Sequence, residues 1–474
     1  MRTNTHYSKY LWRILWFLAL LIRLIGLDQS LWLDEATTAQ VARHMSALQI
    51  ISSYSPTDFH PPLFYLIVKY WGAVFGYHEI GLRLLSVVLS LGAGYVVYRL
   101  TKAIFLASPK NIGQSAQNIE HQAYTAAALF LFNPLILYYS QEARMYMMIV
   151  FLTAVLLYAA YPIFVSGRVR FSVGQLVGMN LSIAALFATG YASAFFIASL
   201  HLIFMLRRRW RELFCIVPGG LISLAIHYPL LTAQMEYANT RLADISNWSL
   251  VLGKAELKNL LLIPVKVVSG RYDLASSADY ILVIAMCAVW TAIAMYSLFT
   301  LRTRTQMSRA AILGLLSMIL VPIMLGYTLS FFKPMMQYFR FLPVVVPLCV
   351  MCGIVVRKRL FQRILLLGSV MFCLIYVGDS RHHREDWKGL TATLPPSSTV
   401  YMIPSSADPI KYYRPDITVV DIAQVSTARS RDVVVIPYVF EIHGVDAEAL
   451  RVNSGRTVRE ARVFNHLTYE RWSR

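Results

Sequence analysis

The chain has 474 residues, of which 57% are hydrophobic and 15% are charged. A soluble globular protein of this length needs a more polar surface, so the composition excludes that class and predicts a polytopic membrane protein. The formal net charge of +19 could suit a nucleic-acid-binding protein. The basic residues, however, lie in short runs beside apolar segments, which excludes nucleic acid as a partner and favours the lipid bilayer.

Apolar stretches predict about eleven membrane-spanning helices. A span needs roughly 20 apolar residues, with about 17 tolerated. The first stretch has no small-residue cleavage site after it, so it is predicted to be an uncleaved span. The stretches lie near residues 14–27, 82–101, 121–139, 145–164, 172–188, 191–206, 213–231, 279–300, 309–331, 337–356 and 361–378.

The basic residues predict the orientation. With the N-terminus in the cytoplasm, five loops rich in Lys and Arg fall on the cytoplasmic side, as the positive-inside rule requires. They lie within residues 102–110, 168–170, 207–211, 302–309 and 357–363. The apolar segment 61–76 is short and carries Lys69, and counting it as a span would invert every later loop. We therefore place it along the outer interface of the cell (inner or plasma) membrane.

The chain changes character at Asp379. Polar residues return, and short β-type runs lie at 399–403, 417–420 and 433–436. These features predict a small extracytoplasmic α/β domain over residues 379–474, after a transmembrane domain over residues 1–378. A long polar loop, residues 232–278, is also predicted on the outer side.

The first candidate chemistry follows the first span, in the motif WLDEA over residues 32–36. Asp34 and Glu35 place two carboxylates at the outer membrane surface. Such groups can act as a general base on an acceptor hydroxyl or hold a divalent cation. An acidic pair that complements a helix dipole is the alternative interpretation, and the pair alone leaves both open.

Two more motifs lie on the same predicted face. His60 precedes two prolines in DFHPPL, where it can donate to a phosphate oxygen, bind a metal, or serve only as a loop residue. Glu142 and Arg144 stand in the turn YSQEARMY between two predicted spans. They can bind a ligand or simply satisfy each other.

The last motif is an outer turn, KPMMQYFR, flanked by Lys333 and Arg340. Cations on the outer side break the positive-inside trend and need an anion, for which a lipid phosphate is the obvious candidate. Snorkelling of both side chains to lipid headgroups is the alternative.

These motifs occur in an order that resembles a known family. LWLDEA, FHPPLFY, YYSQEARMY, the element from KP to RFLP, and REDWKG after the last span are similar to motifs of the polyprenyl-phosphate-dependent glycosyltransferases of GT-C type. The nearest branch is the bacterial one related to protein O-mannosyltransferases and to the aminoarabinose transferase of lipid A (glycosyltransferase family 39). The resemblance covers essentially the whole chain and is strongest over residues 10–150.

The resemblance implies a GT-C fold and an inverting transfer of one sugar from a polyprenyl-phosphate carrier to an acceptor on the outer face. It implies that Asp34 is the general base and that Glu35 supports the acceptor or a cation. Glu142 is the acid of the second outer loop. The donor phosphate is assigned to His60, Arg144, Lys333 and Arg340.

The sequence departs from the family pattern at three positions. His60 stands where relatives often have lysine, Tyr146 where many keep an aspartate, and Phe339 where the arginine often lies. The resemblance leaves open whether a divalent cation, Mg²⁺ or Mn²⁺, takes part, and Asp34 and Glu142 are the ligands it would use. The sugar and the acceptor, whether glycan, lipid or protein, are also left open.

Three other functions compete with this one. A lipid-linked sugar flippase or transporter is predicted to carry ionisable residues near the bilayer midplane and two related halves. An oligosaccharide ligase would use a diphosphate carrier and a longer glycan. A noncatalytic membrane scaffold would keep its function after loss of Asp34.

Overall fold

The structure, a computed structural model, describes residues 3–108, 115–165, 169–241, 245, 247, 251–304 and 309–474, without the side chains of 3–9, 11, 241 and 301–304. It consists of a helical membrane part followed by a small mixed sheet, as predicted. Lys110 and Arg168 of the predicted cytoplasmic loops lie outside the described residues, and so do the side chains of Arg302 and Arg304.

The membrane part is built from helices throughout. In chain order they are α1 (Thr3–Leu24), α2 (Leu33–His44), α3 (Ala47–Gln49), α4 (Leu63–Phe75), α5 (Glu79–Ala107), α6 (Ala116–Leu131), α7 (Pro134–Ser140), α8 (Tyr146–Ala159), α9 (Val173–Thr189), α10 (Ala194–Leu206), α11 (Trp210–Arg241), α12 (Leu257–Ser269), α13 (Ser277–Arg304), α14 (Arg309–Leu329), α15 (Val345–Val355) and α16 (Arg359–Gly378). A 3₁₀ segment, Tyr338–Val344, leads into α15.

Six helical segments of the described chain are long and apolar enough to cross a membrane, or seven if the bent pair α6 and α7 counts as one span. The six are α5, α11, α13, α14, Tyr338–Val355 and α16. The pair α6 and α7 bends by 58°, because Asn133 and Pro134 start a new helix. The side chain of Asn133 accepts hydrogen bonds from the N–H groups of Leu135 and Ile136, both at 3.1 Å.

Fewer full-length spans are therefore found than the eleven predicted. The stretches near 145–164, 172–188 and 191–206 fold as shorter apolar helices, α8, α9 and α10. Pro162 lies in a 3₁₀ turn that follows α8 and cannot continue the helix. Gly190 separates α9 from α10, and a Cβ at that position would lie 2.8 Å from the Cδ1 of Ile149. The segment placed at the interface, α4, is likewise too short for a span.

The C-terminal part is a five-stranded sheet with strand order β2-β1-β3-β5-β4. Strands β1 (Thr399–Met402), β2 (Thr418–Asp421) and β3 (Asp432–Val435) are parallel, while β5 (Leu467–Ser473) pairs antiparallel with β3 and with β4 (Thr457–Phe464). The short helices are α17 (Trp387–Ala392), α18 (Asp408–Tyr413), α19 (Phe440–His443) and α20 (Ala447–Asn453). The three predicted β-runs form β1 to β3, and the hairpin β4–β5 was not predicted.

The C-terminal sheet docks on the same end of the helical part as α2. Thr37 of α2 donates a hydrogen bond to Asp408 at 2.7 Å. The hydroxyl of Tyr413 accepts from the backbone N–H of Leu31 at 2.7 Å and donates to Glu79 at 2.9 Å. Lys388 also pairs with Glu79, at 2.9 Å. These contacts hold the sheet against α2 and the start of α5.

We expect Tyr413→Phe to loosen this docking. The substitution leaves the buried N–H of Leu31 without a partner, which costs about 1–3 kcal/mol. Protease cleavage of residues 379–386, measured under native conditions, should then be about tenfold faster. Tyr401→Phe, which removes a hydroxyl within the sheet, should leave the rate unchanged, and equal rates for the two variants would contradict the assignment.

Candidate functional site

The motif WLDEA forms the start of α2, and its two acids face different surroundings. Successive residues of an α-helix point about 100° apart. The side chain of Asp34 is 37% exposed, whereas that of Glu35 has no exposed surface. Both acids lie in the first turn, where negative charge complements the helix dipole. Only Asp34 is therefore available to a ligand.

Glu35 is bound on both of its oxygens. Arg83 of α5 donates to Oε1 from Nε at 2.9 Å and to Oε2 from Nη2 at 2.6 Å. The backbone N–H of Ala143 donates to Oε1 at 2.7 Å. Burial alone would raise the pKa of Glu35, but the charge and hydrogen bonds of Arg83 outweigh it and hold that pKa below its usual value. Contact with an acceptor or a cation would require these bonds to break.

Arg144 links three of the predicted motifs. Its guanidinium lies 3.5 Å from Oδ2 of Asp34 and donates to the hydroxyl of Tyr65 at 3.0 Å. Tyr65 in turn donates to Asp58 at 2.7 Å, and Asp58 lies 3.5 Å from Nδ1 of His60. The result is a continuous polar chain from Asp34 to His60, which the sequence had assigned only to a common face.

The charge of Asp58 is stabilised within this chain. Burial would raise the pKa of its carboxyl, but His60 first, and then Arg144 and Tyr65, outweigh the burial and lower that pKa to about 2. Gln234 of α11 fixes the backbone beside it by donating to the carbonyls of Ser55 and His60, at 2.7 and 3.1 Å. The loop that carries His60 is therefore held in place from two sides.

Glu142 is buried in a second ion pair. It accepts from Arg384 at 2.8 Å and from the indole N–H of Trp32 at 3.2 Å. Burial raises the pKa of Glu142, although Arg384 acts to lower it. Arg384 also lies 3.9 Å from Glu35. Two acids and two arginines, Glu35, Arg83, Glu142 and Arg384, thus form one buried cluster behind Asp34.

The described residues do not fit a resident divalent cation. No three of their His, Cys, Asp or Glu side chains lie where they could hold a metal ion together. Asp34 and Glu142 were the ligands assigned to such an ion. Arg384 and Trp32 occupy the carboxylate of Glu142, and Arg144 lies beside Asp34. A cation at either acid would meet an arginine, and the positive charge of that arginine would repel it.

Two arginines to which the sequence gave no role, Arg271 and Arg384, meet at Tyr138. Arg271, exposed on the loop after α12, donates to the hydroxyl of Tyr138 at 2.5 Å. Arg384 covers the ring of Tyr138 at 4.2 Å. Tyr438, in the segment between β3 and α19 of the C-terminal part, lies within electrostatic reach of both Asp34 and Arg271. Arg271, which no motif identified, therefore contributes positive charge near Tyr138 and Tyr438.

The structure separates Arg340 from Lys333. Arg340 is half-buried, lies 3.4 Å from the carbonyl of Leu252, and approaches Tyr146, which is also within electrostatic reach of Asp34 and Arg144. Lys333 is exposed in the turn after α14. Within the described chain no hydrogen bond or ion pair joins it to the other predicted site residues.

Sequence reasoning missed several of these residues. Arg384 lies in REDWKG, one of the motifs on which the resemblance rests, but no function was assigned to any residue of that motif. Arg83 is an ionisable residue at the edge of a predicted span. Its position alone could have predicted that it pairs with a buried acid. Arg271 lies in a long loop with no motif around it, so nothing in the sequence distinguished it.

We expect Arg83→Met to destabilise the protein strongly, because it leaves the buried carboxylate of Glu35 unpaired. Removing one partner of a buried ion pair costs about 3–5 kcal/mol, whereas replacing both partners by apolar residues is often nearly neutral. The double variant Glu35→Met/Arg83→Met should therefore recover part of the loss. Thermal unfolding in detergent measures both effects.

Glu120→Gln is the matched control, since its partner Lys102 is 34% exposed. Loss of such a partly exposed pair should cost about 0–1 kcal/mol. If Arg83→Met lowers the unfolding temperature no more than Glu120→Gln, the pair does not anchor the site.

Comparison with known proteins supports the predicted fold. The structure is similar to the crystal structure of ArnT from Cupriavidus metallidurans in the apo state, with a TM-score of 0.57 and 13% sequence identity over 98% of each chain. It is also similar to ArnT from the same organism bound to undecaprenyl phosphate, with a TM-score of 0.55 and 13% identity over 97% of this chain and 98% of that one. No protein-family model and no curated protein matches the sequence. The GT-C fold is thereby confirmed.

Proposed function

We propose that this chain is an inverting glycosyltransferase of the cell membrane. It moves a single sugar from a polyprenyl-phosphate donor to an acceptor on the extracytoplasmic face, with Asp34 as the general base. The observation that carries the proposal is one partly exposed carboxylate, Asp34, beside a buried arginine, Arg144, in a site surrounded by further cations. The fold shared with ArnT, which has been crystallised with undecaprenyl phosphate, supports the donor class.

The surroundings of Asp34 support its assignment as the base. Among the described residues its carboxylate accepts no hydrogen bond, and its one ion-pair contact, with Arg144, is long at 3.5 Å. Its oxygens are therefore free to accept the proton of an acceptor hydroxyl. Glu35, one position further, is fixed by Arg83 and holds the first turn of α2 in place. We assign Glu35 a positioning role.

The donor phosphate meets the cations of the site. When the bond from the sugar C1 to the phosphate oxygen breaks, the leaving phosphate gains negative charge that must be stabilised. Arg144 lies 3.5 Å from Asp34. Arg340 acts electrostatically on Tyr146, and Arg271 on Tyr438, two tyrosines that Asp34 also reaches, so we assign all three arginines to the donor phosphate. His60 lies at the far end of the polar chain, and Lys333 is exposed in the turn after α14. We assign both to the donor phosphate. Glu142 positions Arg384 behind them.

The reaction is then a single displacement. The acceptor oxygen forms a bond to C1 on the face opposite the phosphate, the C1–O bond to the phosphate breaks, and Asp34 takes the proton of the acceptor hydroxyl. The configuration at C1 is inverted, and no enzymic nucleophile is required. The leaving phosphate needs no proton from a general acid, so the two-carboxylate arrangement of glycoside hydrolases has no counterpart here.

We expect Asp34→Asn to abolish transfer without loss of folding. Removing a general base typically lowers kcat by about 10²–10⁴-fold. The assay is sugar release from a panel of short-chain polyprenyl-phosphate sugars by the purified protein in lipid. Asp28→Asn, at an exposed acid of the loop before α2, is the matched control and should leave turnover unchanged.

Retained turnover in Asp34→Asn would remove Asp34 as the base. If no donor is cleaved by the wild type while a labelled lipid moves across the vesicle, the protein is a flippase and the proposal fails.

We expect Lys333→Ala and Arg340→Ala to weaken donor binding more than acceptor binding. Loss of one charged contact to a phosphate should raise KM for the donor about tenfold, equivalent to about 1.4 kcal/mol, and leave KM for the acceptor unchanged. Lys254→Ala, at another exposed lysine, is the control. If Lys333→Ala behaves like that control, Lys333 serves only as a membrane-surface residue.

A further inference from the structure

Two adjoining cavities lie away from the candidate site, where α1 meets α5 and where α5 meets α8. The first has a volume of about 470 Å³ and is lined by Trp12, Arg13, Trp16, Leu91, Gly92 and Tyr95. The second has a volume of about 640 Å³, and its lining includes Tyr95, Tyr98, Arg99, Lys102 and Tyr158. Tyr95 lines both, so the two cavities adjoin at its ring. Together they are called here the α5 groove.

The α5 groove lies at the opposite end of α5 from the candidate site. Arg83, at the site, and Arg99, in the groove, are sixteen positions apart on the same helix. A rise of 1.5 Å per residue separates them by about 24 Å, which approaches the ~30 Å thickness of a bilayer core. The groove therefore lies near the membrane face opposite the site.

Arg99 provides an uncompensated positive charge in the groove. Its guanidinium donates to the hydroxyls of Tyr95 at 2.9 Å and Tyr158 at 3.1 Å, and lies 5.7 Å from the centre of each ring. Among the described residues no acid pairs with it. Lys102, one turn further, is instead paired with Glu120. Two tyrosines thus hold Arg99 in place while its charge stays available to an anion.

The other half of the groove is apolar and runs into the membrane. Leu91 and Gly92 precede Arg99 by about two turns of α5, so they lie about 10 Å deeper. The rings of Trp12 and Trp16 form the wall contributed by α1, with centroids 5.4 Å apart. Arg13 lies between them in sequence and adds a second cation. The cationic end of the groove (its mouth, with Arg99 and Arg13) suits a lipid phosphate, and the apolar end (its slot, lined by Trp12, Trp16 and Leu91) suits an acyl chain.

We propose that the α5 groove binds one anionic phospholipid of the leaflet on that side of the membrane. Its phosphate lies against Arg99 and Arg13, and an acyl chain occupies the slot between Trp12, Trp16 and Leu91. Charge complementarity at the mouth favours an anionic over a zwitterionic headgroup. The continuous apolar slot favours a lipid over a soluble phosphate.

The test is native mass spectrometry of the full-length protein, purified in detergent with equal amounts of phosphatidylglycerol and phosphatidylcholine. The wild type should retain phosphatidylglycerol in preference, and Arg99→Gln should reduce that preference about tenfold. Arg99→Lys should keep most of it. Arg363→Gln removes an exposed positive charge of α16 outside the groove lining and should change nothing.

A second variant tests the slot without changing charge. Leu91→Trp fills the space for the acyl chain and should also lower phosphatidylglycerol retention, with the thermal transition showing that each variant is folded. Equal loss in Arg99→Gln and Arg363→Gln would overturn the proposal in favour of a general attraction to the basic face. Displacement of phosphatidylglycerol by millimolar glycerol phosphate would overturn it in favour of a soluble phosphate ligand.

Discussion

The ion pair between Arg83 and Glu35 is the contact on which the geometry of the site depends. A guanidinium has five N–H donors, and each donor of Arg83 has a partner. Two bind Glu35, and the others bind the carbonyls of Leu27, Gln29 and Ser30. Burying two charges costs several kcal/mol per ion unless their hydrogen bonds are complete. These five hydrogen bonds offset the cost of burying the ion pair. They also hold α5, α2 and the loop before α2 in one arrangement.

Asp34 and Arg144, the two functional groups nearest the Arg83–Glu35 pair, are both positioned through Glu35. Asp34 precedes it on α2 and therefore points about 100° away, toward the open side. Arg144 follows Ala143, whose N–H donates to Glu35. The separation of 3.5 Å between Asp34 and Arg144 thus follows from two short connections to one buried carboxylate. Neither residue has to be held by a flexible loop.

Sequence reasoning predicted the class of fold from hydropathy. It also put Asp34, His60 and Arg144 on one face, because each of their motifs lies at the same predicted end of its helix. It could not assign Glu35, since adjacent acids look alike until the burial of each is known, and the partner Arg83 is 48 positions away. The lengths of α8 to α10 depend on local breaks at Pro162 and Gly190. A hydropathy average over about 20 residues does not detect a break at one residue. Arg271 carries no local signal at all.

In the proposed reaction, the position of Arg144 couples donor binding to the base. Its guanidinium is shared by Asp34, Tyr65 and Thr38, and its Nε has no partner among the described residues. A phosphate that binds Arg144 competes with Asp34 for the same cation, and Asp34 holds it only by a long contact. Asp34 is then released toward the acceptor when the donor is in place. Because the same arginine serves the phosphate and contacts Asp34, Asp34 is fully available to the acceptor only when the donor is bound.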